Sequence, residues 1–120
     1  MATILVIDDS PTVFAGLQEQ LSEHTLQLMK RFIDLPQQIR ESPPDLVLLD
    51  LEIPSLSGVQ LGQYIRKYEA FPIPIIIHSS RPPAELDAAA RAVGAVDFIQ
   101  KGMTGHDLRK RIERALLARV

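Results

Sequence analysis

Four apolar segments of this chain end in side chains that could handle a phosphoryl group and a divalent cation. The first ends at Asp8 and Asp9, the second at Asp50, the third at Ser79 and the fourth at Lys101. In an open sheet of parallel strands, ligands bind in the crevice beyond the carboxyl ends of the strands. A single aspartate after a strand says little, but carboxylates, a hydroxyl and a lysine at successive strand ends predict one composite site.

The three aspartates predict a metal site. If Asp8, Asp9 and Asp50 lie at the ends of neighbouring strands, each negative charge raises the cost of ionising the others. Mg²⁺ relieves that conflict, because it prefers oxygen ligands and needs only one or two carboxylates besides water and phosphate. For the adjacent pair Asp8 and Asp9 alone, a turn residue and a helix cap would be the more usual roles.

Asp50 directly follows a buried apolar run, and a carboxylate at that position can act as a nucleophile toward phosphorus. Phosphoryl transfer asks a protein mainly for positioning and for stabilisation of negative charge, which Lys101 and a cation would supply together. Ser79 could donate its hydroxyl to a phosphoryl oxygen. Taken singly, Asp50 is typical of a strand-ending cap, Lys101 of a solvated lysine and Ser79 of a turn residue. The prediction of a phosphoryl site therefore depends on finding all three together.

The three histidines do not suggest a metal cluster. His24 and His106 fall at predicted surface turns, and His78 ends a predicted strand beside the composite site. We expect all three to be structural or solvated.

Strands and helices alternate along the chain. Apolar runs predict buried strands at 3–7, 46–49 and 75–78, and weaker ones at 25–29 and 97–100. Helical spacing and capping residues predict helices after Ser10, Asp34, Ser57, Pro82 and Thr104. The alternation implies an α/β fold, a doubly wound parallel sheet of five strands with helices on both faces. Pro54 and Pro72 are predicted to lie in the connecting loops.

Composition bounds the possible functions. The 120 residues suit a single domain over 1–120, and 23% charged residues with a net charge of -2 disfavour direct nucleic-acid binding. No signal peptide or apolar run long enough for a membrane span is visible, and there is no cysteine. We expect a cytoplasmic protein without membrane insertion.

Segments 4–10, 44–58, 74–79 and 94–101 resemble the receiver domain of bacterial two-component response regulators, and the similarity covers essentially the whole chain. The resemblance implies a flavodoxin-like sheet in the order 2-1-3-4-5. It also implies that Asp50 accepts phosphate from the phosphohistidine of a sensor kinase or phosphotransfer protein.

The resemblance assigns the remaining roles. Asp9 would bind Mg²⁺ directly, Asp8 largely through water, and the backbone carbonyl of Glu52 would complete the protein ligands. Lys101 would contact the phosphoryl oxygens. Ser79 and Phe98 would form the switch, although Phe98 fits a plain core position equally well.

Three features set this chain apart from the usual family pattern: two single residues and one charged pair. Gly102 replaces the usual proline after the lysine, and Ser80 replaces a small apolar residue. Glu52 and Arg81 occupy positions that tune loss of the phosphate. They could form a salt bridge across the mouth of the site, or a solvated pair of little consequence.

The leading hypothesis is a phosphoryl-accepting signalling module that catalyses only its own phosphorylation and dephosphorylation. Its last two helices and last strand would bind a downstream protein. Asp97 and Arg111 match positions that bridge two receivers in some relatives, so a homodimer is possible; a surface charge pair is the alternative. A phosphorylation-independent interaction domain (pseudo-receiver) is the rival, while a hydrolase or flavin binder lacks the expected motifs.

Overall fold

The computed structural model describes residues 1–29, 31–53, 56–68 and 73–117, so that Pro54 and Pro72 lie outside the described residues. Five parallel strands form the central sheet in the spatial order β2-β1-β3-β4-β5. Their bounds are Thr3–Ile7 (β1), Thr25–Leu28 (β2), Leu46–Leu49 (β3), Ile75–Ser79 (β4) and Asp97–Gln100 (β5). The predicted doubly wound, flavodoxin-like fold is confirmed.

Five helices cover the two faces of the sheet. They are Pro11–Gln20 (α1), Leu35–Glu41 (α2), Gly58–Tyr68 (α3), Pro83–Val93 (α4) and Gly105–Leu117 (α5). Helices α2, α3 and α4 bury their apolar residues in one core, and α1 and α5 bury theirs in a second core on the opposite face. Because both faces are covered, β1 and β3 are apolar along nearly their whole length.

The register of the sheet brings the strand ends together. Ile7 pairs with Leu49, and Leu49 pairs with Ile77, so the residues that follow β1 and β3 emerge side by side. Ile77 in turn pairs with Phe98 on β5. The carboxyl ends of four strands therefore meet at one edge, where ligands of such sheets bind.

Most helix boundaries follow the predicted capping chemistry. The hydroxyl of Ser10 accepts a hydrogen bond of 3.3 Å from the Val13 N–H and Pro11 opens α1. Gly94 ends α4 with φ +76°, in the left-handed region that favours glycine. The predicted side-chain cap at Asp34 is wrong: its carboxylate accepts from Arg31 instead, at 2.8 Å.

Two short elements were not predicted. A 3₁₀ turn, Phe32–Asp34, precedes α2, and a two-stranded antiparallel hairpin pairs Glu52–Ile53 with Leu56–Ser57. The hairpin begins at Glu52, the third residue after the end of β3. Among the described residues, no helix has the length and apolar character needed to cross a membrane.

Candidate functional site

Three carboxylates cluster at the carboxyl edge of the sheet. One oxygen from each of Asp8, Asp9 and Asp50 lies within 4.8 Å of the others. Asp8 and Asp50 are buried and Asp9 is exposed, so the cluster opens toward solvent on one side. The residues that the sequence predicted to be metal ligands thus share one small volume.

Lys101 joins the cluster from the end of β5. Its Nζ lies 2.9 Å from Asp8 Oδ2 and 3.4 Å from Asp50 Oδ2. Burial lowers the pKa of Lys101, but hydrogen bonding to Asp8 and the charge of Asp50 outweigh it, so the pKa lies above its ordinary value. Lys101 is therefore a fixed positive charge beside Asp50. Asp8 is further held in place because its Oδ1 accepts from the Ser10 N–H at 2.9 Å.

Asp50 carries an unsatisfied oxygen. Its side chain is only 3% exposed, and Oδ1 has no hydrogen-bond partner within the described part of the chain. Burial raises the pKa of Asp50 and the charge of Asp8 adds to the rise, opposed by the Glu52 backbone and Lys101. Such an oxygen, among other carboxylates, suits a hard divalent cation or an incoming electrophile. The residues present fit Mg²⁺.

Asp50→Asn is expected to raise the free energy of unfolding at pH 7 by about 1 kcal/mol, or about 4 °C in Tm, because it removes a buried charge that is incompletely paired. The folded protein binds the Asp50 proton more tightly than the unfolded chain does. The titration of Asp50 therefore lowers the free energy of unfolding of the wild type as pH rises above about 4. Thermal unfolding from pH 3.5 to 7 should show the gain of the variant growing with pH, and a pH-independent difference would contradict this account.

The predicted switch residues lie on β4 and β5. β4 runs one residue further than predicted and includes Ser79, which is buried; its hydroxyl accepts from the Arg81 N–H at 3.3 Å. Phe98 is half-buried and packs against the core under α2, α3 and α4. Ser80 is exposed.

Two charge pairs suggested by the sequence are present within the chain. The Nε of Arg81 lies 2.9 Å from the Glu52 carboxylate, and both side chains are about half exposed to solvent. Arg111 lies 2.9 Å from the Asp97 carboxylate and donates to the Phe98 carbonyl. The second pair therefore ties α5 to β5 in a single chain, and the homodimer stays a prediction.

The histidines differ in their surroundings. His106 is exposed, but it lies in α5 rather than in the predicted turn. His24 lies in a turn, yet its side chain is only 5% exposed: Nδ1 accepts from the Ala2 N–H at 3.0 Å and Nε2 lies 2.8 Å from Glu113. Because Nδ1 accepts, the proton is on Nε2, which leaves no lone pair there for a metal beside Glu23 and Glu113. His24 is structural.

Two glycines shape the site in ways that spacing alone did not indicate. Gly102 has φ +106°, a conformation that the fixed ring of proline cannot adopt, which explains the departure at this position. Gly58 opens α3 against the backbone of Asp50, where a Cβ would overlap the Asp50 carbonyl oxygen.

Comparison with known proteins gives one consistent family. A family model for the response regulator receiver domain matches residues 4–113. Protein PilH of Pseudomonas aeruginosa is 33% identical over 119 residues, covering 97% of this chain and 98% of PilH. The sensory transduction protein BceR of Halalkalibacterium halodurans is 31% identical over 103 residues, covering 84% of this chain but only 44% of BceR.

Solved structures agree. The chain superposes on NtrX from Brucella abortus with a TM-score of 0.84 and 29% identity, over 97% of this chain and 27% of that one. The N-terminal domain of the nisin resistance regulator NsrR superposes with a TM-score of 0.83 and 28% identity. The match covers 97% of this chain and 98% of the NsrR domain. The chain thus spans all but a few residues of some relatives and less than half of others.

Proposed function

The chain belongs to the family of response regulator receiver domains, and from this membership we propose that it accepts a phosphoryl group on Asp50 in two-component signalling. The observation that carries the proposal is the buried, unpartnered Oδ1 of Asp50, in a carboxylate cluster that also contains the Lys101 ammonium. A structural cap would be expected to satisfy both oxygens with backbone N–H groups, whereas here the Glu52 backbone bonds to the carboxylate and Oδ1 still has no partner among the described residues.

The proposed chemistry is a direct transfer. Asp50 Oδ1 attacks the phosphorus of a phosphohistidine, the O–P bond forms, and the P–N bond breaks as the imidazole nitrogen leaves with the electron pair. Lys101 Nζ lies 3.4 Å from Oδ2, the other oxygen of the Asp50 carboxylate, and would balance the negative charge of the transferred group. The hydroxyl of Ser79 would donate to a phosphoryl oxygen.

The carboxylates of Asp8, Asp9 and Asp50, with the backbone carbonyl of Glu52, would hold Mg²⁺. When bound, the cation supplies positive charge that offsets both the carboxylates and the phosphoryl oxygens. The tether from Ser10 to Asp8 keeps one of these carboxylates in a fixed orientation. Preorganisation of this kind is what phosphoryl transfer requires of a protein.

The proposed output is a shift between two states of the surface formed by α4, β5 and α5, with Ser79 and Phe98 moving together. The cytoplasmic partners would be a sensor histidine kinase or phosphotransfer protein upstream and another protein downstream, with a second copy of the chain as a possible partner. Receiver domains are not in general enzymes themselves, and we propose that this one turns over only its own phosphate.

Acetyl phosphate with Mg²⁺, and separately beryllofluoride with Mg²⁺, test the proposal. We expect one phosphoryl adduct by intact-protein mass spectrometry, and chemical-shift changes in the amide resonances of Ser79 and Phe98 in nuclear magnetic resonance (NMR) spectra. Mg²⁺ alone should perturb Asp8, Asp9 and Asp50 first. If neither reagent gives an adduct or a spectral change, the pseudo-receiver alternative is correct.

Arg81→Ala is expected to accelerate loss of the phosphoryl group about two- to fivefold, because the half-exposed pair with Glu52 is worth at most about 1 kcal/mol. The measurement is the decay of the phosphorylated protein after removal of the donor. Arg91→Ala is the matched control, since Arg91 forms a similar exposed pair with Asp87 on α4. If Arg81→Ala leaves both phosphorylation and dephosphorylation rates unchanged, the pair is only a solvated contact.

A further inference from the structure

A cleft of about 200 Å³ separates α1 from the loop that leads from β5 into α5. Its walls include the apolar side chains of Val13, Leu17 and Leu108, together with Met103 from the loop. His78 lines it from the sheet. The cleft is smaller than sites for drug-sized molecules, which hold about 300–1,000 Å³. It suits a molecule with a single ring.

His78 gives the cleft a polar group without a protein partner. His78 is only 6% exposed and makes no hydrogen bond to another described residue, but neither ring nitrogen is a fully enclosed unpaired atom, so the nitrogens reach the solvent of the cleft. Ring nitrogens that reach the cleft can bond to water, and a ligand that offers the same hydrogen bonds can displace that water. Burial lowers the pKa of His78 to about 4, hence the imidazole is neutral and offers one donor and one acceptor.

Two glycines keep the cleft open. Gly16 in α1 and Gly102 after β5 both line it, and a Cβ added at either would meet nothing within 4 Å. A glycine within a helix costs about 1 kcal/mol relative to alanine, and at Gly16 no packing contact requires it. A longer side chain at Gly16 would occupy the opening.

Charge selects among ligands. Lys101 is the cation that lines the cleft in the described part of the chain, but Asp8 and Asp50 already pair with it, and Glu19 lines the cleft as well. An anion would meet this net negative surrounding without a free positive partner. A neutral molecule avoids the cost of placing a negative charge there, and it can still form hydrogen bonds with the imidazole.

We propose that this cleft binds a small uncharged molecule with an apolar ring and an amide-like edge, the edge pairing with His78 and the ring lying on Leu17 and Met103. The site shares Lys101 with the acidic cluster, so a bound ligand would alter the surroundings of that cluster. The proposal does not depend on phosphorylation.

Benzamide, benzoate and toluene test the class of ligand by titration of the ¹⁵N-labelled full chain, without Mg²⁺ or phosphoryl donor, in amide NMR spectra. Benzamide should give saturable shifts at Gly16, Gly102 and Met103, with a Kd of about 1 mM for a ligand of this size. Benzoate and toluene should bind at least about fivefold more weakly. Absence of saturable shifts with benzamide, or equal binding of benzoate, overturns the proposal.

Gly16→Leu locates the site. It should weaken benzamide binding at least about tenfold by filling the opening, whereas Ala15→Leu, exposed on the same helix outside the cleft, should not. His78→Leu should remove the preference for benzamide over toluene; if that variant does not fold, the Gly16 and Ala15 pair decides. Equal affinity in both leucine variants refutes the assignment. Because binding is measured directly, its failure is distinct from failure of phosphorylation.

Discussion

Asp50→Ala is expected to abolish phosphorylation by acetyl phosphate, lowering the adduct at least a hundredfold, on the order of what loss of a nucleophile costs an enzyme. The reason lies in the neighbours. Asp8 is held by Ser10 and Lys101, so its oxygens are engaged, while Asp9 is exposed and lacks a lysine pairing in the described structure. Among the described residues, Asp50 Oδ1 is a buried oxygen without a hydrogen bond; Asp8 Oδ2 also lacks one, but it lies 2.9 Å from the Lys101 ammonium.

Intact-protein mass spectrometry after a timed reaction measures the adduct, and circular dichroism checks that the variant is folded. Asp87→Ala, which removes an exposed carboxylate on α4, is the matched control and should react as the wild type does. A full adduct in the Asp50→Ala variant would show that another group, with Asp9 the first candidate, takes the phosphate, and the proposed function would need a different acceptor.

The features that the sequence predicted best rest on local patterns. β3 is an unbroken apolar run and β1 is apolar after Thr3, and a polar residue directly after each strand falls at the same edge of a parallel sheet. That rule puts Asp8 and Asp50 at one edge, and the adjacency of β1 and β3 in the strand order brings them together. The half-exposed edge strand β2 has a weaker pattern, and it ends one residue earlier than predicted.

The features that the sequence did not predict depend on contacts between distant residues. His24 and Glu113 are 89 positions apart, and no periodicity links them. Asp34 fits the pattern of a helix cap, but the guanidinium of Arg31 competes for its carboxylate. The hairpin has two residues in each strand, too few to show alternation.

The cleft is a similar case. His78, Gly16 and Gly102 belong to three separate elements, and each has an ordinary local explanation: a strand end, a weak point in a helix and a turn. Their proximity becomes visible only when α1 and α5 are packed on the same face of the sheet. The difference between a histidine in a surface turn and a largely buried ring that faces a cleft is therefore a property of the fold.

Gly58→Ala is expected to destabilise the protein by at least about 2 kcal/mol and to slow phosphorylation at least about tenfold. A Cβ at Gly58 would overlap the Asp50 carbonyl oxygen and lie 2.6 Å from the Leu51 Cα. Both are backbone atoms, so no change of rotamer relieves the clash, and the strand end that carries the nucleophile must move. Thermal unfolding and the initial rate of adduct formation measure the two effects.

Gly16→Ala is the control, and it is expected to change stability in the opposite direction from Gly58→Ala. A methyl group at Gly16 meets nothing within 4 Å, and the position lies inside α1, so the substitution should stabilise the fold by about 0.5–1 kcal/mol. Phosphorylation should be unaffected. The contrast separates a glycine required by close backbone approach from one that is not, because helix propensity alone favours alanine at both positions. If Gly58→Ala matched the wild type in stability and in rate of phosphorylation, the backbone around Asp50 would be able to shift and relieve the clash. That result would contradict the prediction.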